Sequence, residues 1–211
     1  MSKYKCVIFD CDGVLVDSEP ISIQTLVDIA NEYGANIDLE YGMKHFKGSF
    51  FEACKSRIAT HAKTILPDNL EDIYRTRSFE SFKKNMKPVE GIKEVLDNLK
   101  QPFCVASSGP ENKIELNLGL TGLLPFFENN IFSCYAIKKW KPDPAVFLWA
   151  AKTMGFKPSE CVVIEDSLSG VHAAKKGGFD VFGFTAHDYN DELQSEATKV
   201  FSSMSELLKM L

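Results

Sequence analysis

The sequence lacks the features that mark membrane, secreted or nucleic-acid-binding proteins. No apolar run approaches the length of a membrane span, and the N-terminus has no basic segment followed by an apolar one. Positive charge is not in excess, because 24 Lys and Arg stand against 29 Asp and Glu, for a net charge of -5. That balance argues against a nucleic-acid or anionic-membrane surface. We therefore expect a cytoplasmic protein that binds neither nucleic acid nor membrane.

The six cysteines include no Cys-x-x-Cys pair. Cys6, Cys104 and Cys161 lie in apolar, strand-like runs, which predicts buried reduced thiols rather than a disulfide framework or a zinc site. Cys11 has no obvious histidine partner nearby in the sequence. We therefore favour a structural thiol there over a nucleophile.

The 211 residues suffice for one sizeable core domain plus an insertion. After a first apolar strand that ends near residue 9, four more apolar runs alternate with helical patterns. The predicted strands are 103–106, 131–134, 161–164 and 181–184, and the predicted helices are 112–118, 144–154 and 170–176. Continuous apolar strands between helices are typical of a parallel sheet covered on both faces. The predicted fold is α/β, a doubly wound parallel sheet.

Residues 17–87 carry no strong strand pattern. An apolar helical face runs from Ile23 to Tyr33 and ends at Gly34, and capping-box spacings begin at Ser49 and Asp68. We predict an all-helical segment inserted after the first strand. The predicted domains are a core of residues 1–16 and 88–211 and a helical insertion of residues 17–87.

Two aspartates follow the first strand. Asp10 and Asp12 are separated by one residue and followed by Gly13. A strand projects residues i and i+2 to one side, and two close carboxylates ionise together only beside a cation. The pattern therefore indicates a metal site suited to phosphoryl chemistry, although an Asp-Asp-Gly turn that closes a strand is an equal alternative.

Other polar groups follow the later strands. They are Ser107-Ser108-Gly109, Lys141 and Glu165-Asp166. Each has an ordinary explanation: a turn, a solvated lysine, and an acidic helix start. Ligands of open parallel sheets bind beyond the carboxyl ends of the strands, so we expect these groups to converge. Together they supply what phosphoryl transfer through a covalent intermediate requires.

The ordered motifs Asp-x-Asp-Gly-Val, Ser107, Lys141-Pro142 and Glu165-Asp166 resemble the four motifs of the haloacid dehalogenase superfamily. The resemblance covers essentially the whole chain. It is to the branch with a helical cap after the first strand, which includes β-phosphoglucomutases and small sugar-phosphate phosphatases. The resemblance implies that Asp10 is the nucleophile that forms an aspartyl-phosphate. It further implies that Asp12 is the general acid and base, and that Mg²⁺ is held by Asp10, Asp166 and the main-chain carbonyl of Asp12.

The same resemblance implies that the remaining core motifs bind the phosphate and support the metal site. Ser107, with Ser108 beside it, and Lys141 would hold the phosphate oxygens, and Glu165 would support the metal and Lys141. Dehalogenation is disfavoured, since the dehalogenases of the superfamily lack the acid/base aspartate that Asp12 provides.

The predicted cap would choose the substrate. Lys47-Gly48 resembles a cap loop of the mutases, but Phe51 stands where a mutase has an arginine for a second phosphate, and Ser22 replaces a histidine. These departures favour a phosphatase over a mutase. Arg75 or Arg77 could still supply positive charge from the cap, so a mutase function stays an alternative.

The predicted function is a Mg²⁺-dependent phosphatase of a small phosphorylated metabolite. The resemblance, which extends to the Gly-Pro-x-Asn-Lys stretch at 109–113 and the Trp-Lys-Pro-Asp-Pro stretch at 140–144, implies that the substrate is a sugar phosphate or a phosphorylated sugar acid such as 6-phosphogluconate. A hexose-phosphate mutase and a non-catalytic module phosphorylated on aspartate are the alternatives. We expect a monomer, with a weak dimer as the other possibility.

Overall fold

The computed structural model describes residues 3–47, 49, 51–186, 188 and 191–211. The chain divides into two compact units. One consists of Met1–Val16 with Lys87–Leu211, and the other is Asp17–Met86. Lys87, predicted as the last residue of the helical segment, thus belongs to the first unit.

The first unit contains a six-stranded parallel sheet with flanking helices. Its strands are β1 (Cys6–Phe9), β2 (Phe103–Ser107), β3 (Ile131–Ser133), β4 (Cys161–Glu165), β5 (Asp180–Phe184) and β6 (Lys199–Phe201), in the order β3-β2-β1-β4-β5-β6. Its helices are α5 (Ile92–Asn98), α6 (Glu111–Leu120), α7 (Cys134–Ile137), α8 (Ala145–Met154), α9 (Leu168–Lys176) and α10 (Met204–Met210). The doubly wound α/β prediction is confirmed.

Most boundaries lie within one or two residues of the predicted ones, and two of the differences have a clear structural cause. Cys134, predicted at the end of a strand, begins α7 instead, because the Ser133 side chain accepts a hydrogen bond from the Tyr135 N–H and starts a helical turn. Pro144, predicted as the first helical residue, is instead the N-cap, and Asp143 stands one residue before it. Asp143 still serves the helix start, since its Oδ1 accepts a hydrogen bond from the Ala145 N–H.

The core of this unit is built on the buried strands. Cys6, Cys104 and Cys161 lie in it with no exposed surface, and all six cysteines are free and buried. The prediction of buried reduced thiols is confirmed. At Cys11, burial and the neighbouring Asp12 and Asp10 carboxylates raise the pKa of the thiol, which disfavours the nucleophilic thiolate.

Among the described residues of the second unit, the regular elements are all helices. Its helices are α1 (Glu19–Glu32), α2 (Leu39–Phe46), α3 (Phe51–His61) and α4 (Leu70–Asn85). The predicted apolar face is buried in the core of this unit from Ile23 to Ala30, whereas Tyr33 is half-buried at the C-cap of α1. Gly34 has φ +80 where the chain turns after α1. The capping box predicted at Asp68 is wrong, because Asn69 is the N-cap of α4 and its side chain makes no capping hydrogen bond.

Within the ranges described above, no helix combines the length and the apolar character needed to cross a membrane.

Candidate active site

The predicted core residues gather at the carboxyl edge of the sheet. Asp10 follows β1, Ser107 ends β2 on one side of β1, and Glu165 ends β4 on the other side. The chain passes from β1 to β2 and β3 on one flank and then returns to β4 on the other. This edge is therefore a topological switch point, the usual ligand position in open α/β sheets.

Three buried carboxylates meet at this point. Asp10, Glu165 and Asp166 each place one oxygen within 4.8 Å of the others, and they are 7%, 0% and 7% exposed. Like charges so close in a poorly solvated site require positive charge nearby. The sequence expectation that Asp10 and Asp166 lie together is met, and Glu165 joins them.

Lys141 provides one positive charge. Its ammonium, in a side chain that is 4% exposed, donates to Asp10 Oδ1 at 2.6 Å and to Glu165 Oε1 at 2.5 Å. Burial alone would lower the pKa of this lysine, but the two carboxylates outweigh burial and raise it. Lys141 is therefore a fixed cation rather than the solvated surface lysine of the alternative explanation.

One ammonium does not balance three carboxylates. The pKa of Asp10 stays well above its ordinary value. Burial is the main cause, Lys141 opposes it, and Glu165 and Asp166 add to it. A divalent cation would remove the repulsion and keep Asp10 ionised. The donor set contains only carboxylate oxygens, which suits a hard cation.

Two glycines make room for these carboxylates. Gly13 has φ +81, and a Cβ on it would lie 2.2 Å from Asp166 Oδ2. A Cβ on Gly170 would lie 1.8 Å from Glu165 Oε1. Any side chain at either position would occupy the volume that the cluster now fills.

Glu165 is held at both oxygens. Oε1 accepts from Lys141, while Oε2 accepts from the Ser167 N–H at 2.9 Å and from the Ser167 hydroxyl at 2.8 Å. Ser167 also caps α9, since its Oγ accepts from the Gly170 N–H at 3.1 Å. Glu165 is thus fixed as a support for Lys141 and for its neighbour Asp166.

Asp12 makes a separate set of contacts. Lys113 Nζ donates to its Oδ2 at 2.8 Å, and Asn117 Nδ2 lies 3.4 Å from its Oδ1. The side chain of Asp12 is not part of the carboxylate cluster. Sequence reasoning assigned no role to Lys113 or Asn117. The available signal was Asn117, a polar residue between the apolar positions Ile114 and Leu118.

The serines after β2 lie in a structured turn. The Gly109 N–H donates to Ser107 Oγ at 3.1 Å, and Ser133 Oγ donates to the Gly109 carbonyl at 2.6 Å. Ser107 is buried, and Ser108 Oγ lies 4.0 Å from Cys134 Sγ. This segment is therefore a turn, as in the ordinary explanation, and it also lies at the edge of the sheet where ligands bind.

The residues predicted for the cap all belong to the helical unit. Lys47 is the C-cap of α2, and Gly48 lies outside the described residues. The Phe51 ring stacks on Tyr74 with centroids 5.5 Å apart, and Arg77 Nη1 lies 2.5 Å from Glu32 Oε1. Arg75 pairs with Glu71. Their part in substrate choice stays a prediction.

Comparison with known proteins decides the family. The family model described as haloacid dehalogenase-like hydrolase matches residues 7–184. The chain belongs to the haloacid dehalogenase-like hydrolase family. This haloacid dehalogenase-like chain is 34% identical over 208 residues to a 6-phosphogluconate phosphatase of Escherichia coli, a match that covers 98% of this chain and 94% of that protein. Other curated relatives are also named phosphatases. The chain is accordingly a phosphatase-type member of the family.

Solved structures agree on this haloacid dehalogenase-like fold. A haloacid dehalogenase-like protein of unknown function from Agrobacterium tumefaciens matches with a TM-score of 0.92 and 32% identity, covering 98% of this chain and 97% of that one. A hydrolase of the same superfamily from Deinococcus radiodurans, solved with bound phosphate and sodium, has a TM-score of 0.85 and 29% identity, covering 98% and 94%.

Proposed function

We propose that this chain is a Mg²⁺-dependent phosphatase of a small phosphorylated metabolite, which works through an aspartyl-phosphate on Asp10. The observation that carries the proposal is the buried Asp10 carboxylate, held by Lys141 beside Glu165 and Asp166 at the carboxyl edge of the sheet. No other arrangement among the described residues unites a candidate nucleophile, a fixed cation and a metal-ligand cluster.

The metal would be held by the side chains of Asp10 and Asp166 and by the main-chain carbonyl of Asp12. Oxygen donors and an excess of negative charge fit Mg²⁺, while burial raises the pKa of the Cys11 thiol and disfavours a thiolate ligand there. When bound, the ion supplies positive charge against the phosphate and the nucleophile.

The residues of the chain then carry the reaction. An Asp10 oxygen attacks phosphorus, the bond to the ester oxygen breaks, and Asp12 gives that oxygen its proton. Asp12 next takes a proton from water, whose oxygen attacks the aspartyl-phosphate and releases inorganic phosphate and the free Asp10 carboxylate. Lys141 and Ser107, with Ser108, hold the phosphate oxygens.

The proposed substrates are sugar phosphates and phosphorylated sugar acids such as 6-phosphogluconate. The relative named 6-phosphogluconate phosphatase supports this class. The helical unit Asp17–Met86 is proposed to choose among them. Within that unit, Phe51 packs on Tyr74 and Arg77 pairs with Glu32, which supports a phosphatase over a mutase that must hold a second phosphate. We expect the enzyme to act in the cytoplasm as a monomer.

The test is phosphate release from a panel of sugar phosphates and sugar-acid phosphates with Mg²⁺. Asp10→Asn should lower kcat by at least about 10³-fold, as loss of a nucleophile does elsewhere. Asp97→Asn, an exposed aspartate of α5, is the matched control and should keep full activity. Equal phosphate release by the wild type and Asp10→Asn would contradict the proposed function.

Two further results would favour the alternatives. Conversion of β-glucose 1-phosphate, with a trace of the 1,6-bisphosphate, to glucose 6-phosphate faster than to free phosphate would indicate a mutase. Long-lived phosphorylation of Asp10 without turnover would indicate a regulatory module.

A further inference from the structure

One face of α6 holds both carboxylate oxygens of Asp12. Lys113 and Asn117 are four residues apart, so their side chains project from the same side of the helix. Lys113 Nζ donates to Oδ2 at 2.8 Å, and Asn117 Nδ2 approaches Oδ1 at 3.4 Å. A carboxylate held at each oxygen by a different residue keeps one orientation of its plane.

Asn117 is a polar residue in an apolar place. It has no exposed surface, its neighbours Ile114 and Leu118 are buried in the core, and its Oδ1 has no hydrogen-bond partner within the described part of the chain. An amide buried with an unused acceptor is less favourable than an aliphatic side chain of similar size. Packing therefore does not account for Asn117, whereas its contact with Asp12 does.

Lys113 lies where the site meets solvent. The side chains of Lys113 and Asp12 are 21% and 23% exposed, in contrast to the 4% of Lys141. Asp12 is also outside the group formed by Asp10, Glu165 and Asp166. The contacts from α6 thus hold the second aspartate of the motif apart from the first.

We propose that Lys113 and Asn117 are positioning residues, which aim the Asp12 carboxyl group at the oxygen that leaves phosphorus. The inference rests on the proposed function, in which Asp12 transfers a proton to that oxygen. Neither residue touches the phosphate in this account. Their effect on the reaction passes through the orientation of Asp12.

The leaving group makes this role measurable. A sugar alkoxide leaves phosphorus only with a proton, whereas p-nitrophenolate is a stable anion and leaves without one. The ratio kcat/KM depends only on the steps up to the first irreversible one. It therefore includes the transfer of the proton to the leaving oxygen during phosphoryl transfer. It does not include the later hydrolysis of the aspartyl-phosphate. A change in the orientation of the Asp12 carboxyl group should therefore lower kcat/KM for the sugar ester more than for the aryl ester.

The experiment compares kcat/KM for 6-phosphogluconate and p-nitrophenyl phosphate, with Mg²⁺, in the full chain. Lys113→Met and Asn117→Leu should each lose about 10- to 100-fold on the sugar-acid ester, a part of the typical 10²–10⁴-fold benefit of a general acid. On the aryl ester they should lose less than about threefold. Lys113→Arg should recover most of the loss, and Lys152→Met on the exposed side of α8 should lose nothing.

Stability separates positioning from folding. Asn117→Leu removes a buried, partly unused amide, so its melting temperature should equal or exceed that of the wild type while its activity on the alkyl ester falls. A merely structural role would instead lower the melting temperature and reduce activity on both esters together. If Lys113→Met does not fold, Asn117→Leu carries the test alone.

Equal losses on the two esters, or no loss on 6-phosphogluconate, would overturn the inference while the proposed function stands. If the wild type hydrolyses neither of these two esters nor any phosphate ester of the panel, or if Asp10→Asn keeps full activity, the proposed function itself is overturned. The two failures are therefore distinguishable in one set of assays.

Discussion

Gly170 shows how a single missing side-chain carbon shapes the site. The first turn of α9 passes so close to Glu165 that a Cβ at this position would overlap the carboxylate. Glu165 cannot retreat without losing its contacts with Lys141 and Ser167. The backbone at Gly170 is thus part of the support of the carboxylate cluster.

Gly170→Ala should therefore destabilise the protein by about 1–3 kcal/mol, the usual cost of overpacking a filled site. Urea unfolding measures the change. Gly119→Ala on α6 is the matched control, because nothing lies within 4 Å of the place its Cβ would take and alanine favours an exposed helix position by up to about 1 kcal/mol. A Gly170→Ala protein as stable as the control would show that the carboxylates can move aside.

At the scale of single residues, the sequence predicted the strand-end groups and missed their partners. The positions of Asp10, Lys141 and Asp166 could be predicted, because the carboxyl ends of parallel strands lie at one edge of the sheet. The roles of Lys113 and Asn117 could not be predicted, because their contact with Asp12 depends on the orientation of α6 about its axis after the turn at Gly109 and Pro110. No rule of spacing gives that rotation.

At the scale of elements, the packing of α1 on α2 depends on Gly42. A Cβ there would lie 2.6 Å from Ile23 Cγ2 and 2.8 Å from Val27 Cγ2, both on the buried face of α1. Glycine in mid-helix costs stability by itself, so its presence in α2 reflects this close approach.

Gly42→Ala should lower the stability of the helical unit by about 1–3 kcal/mol, because the clash outweighs the gain of about 1 kcal/mol in helix propensity. Urea unfolding followed by helical circular dichroism measures it, again with Gly119→Ala for comparison. A more stable Gly42→Ala variant would contradict this account of the α1–α2 contact.

The first residue of β5 is tied to the segment before β1. Lys3 pairs with Asp180, and Tyr4 donates from its hydroxyl to Asp180 Oδ2 at 2.9 Å while its ring meets the edge of Phe182. The hydrogen bond from Lys3 is the main reason that the pKa of Asp180 is lowered; burial opposes it and Tyr4 assists. These contacts join two strands that do not pair directly.

A lowered pKa in the folded state means that Asp180 contributes stability above its unfolded pKa of about 3.9, and that this contribution is lost as the pH falls through the folded value. Asp180→Asn should therefore be less stable than the wild type at pH 7, and the difference should shrink below about pH 4. Urea midpoints at pH 7, 5 and 3 test this. A difference that does not change with pH would assign the effect to packing alone.

Whole elements were predictable where the apolar pattern was strong. The core strands and the helices α6, α8 and α9 were expected because their apolar runs have clear periods. β6 has only three residues, of which Phe201 alone is buried, and α7 has four residues that begin at a side-chain cap. Such short elements are fixed by tertiary contacts rather than by their own sequence.

At the scale of the whole molecule, the sheet-containing unit should depend on a divalent cation and the helical unit should not. The carboxylate cluster belongs entirely to the unit of Met1–Val16 with Lys87–Leu211. A ligand that binds only the folded state stabilises it by about 2.7 kcal/mol at 100 times its dissociation constant.

Mg²⁺ should therefore raise the melting temperature of the wild type, and a chelator should reverse the increase. Asp166→Asn removes one proposed ligand and should lose most of this response, while Asp97→Asn should keep it. Differential scanning fluorimetry with and without Mg²⁺ is sufficient. An equal response in Asp166→Asn would place the ion elsewhere.

The net charge of -5 also belongs to this scale. The overall field of the molecule repels a phosphate ester, so binding depends on the local positive charge of Lys141 and of the proposed cation. The net charge can be read from the composition, but only the folded chain shows that Lys141 is buried among carboxylates.

The central claim is that Asp10 becomes phosphorylated during turnover. Acid quenching of the working enzyme with 6-phosphogluconate and Mg²⁺, followed by proteolysis and tandem mass spectrometry, tests it directly. We predict one phosphoryl group on Asp10 in the wild type and none at residue 10 in Asp10→Asn, which should release phosphate at least about 10³-fold more slowly. A phosphoryl group on another residue such as Cys11, or phosphate release by Asp10→Asn at the wild-type rate, would contradict the account.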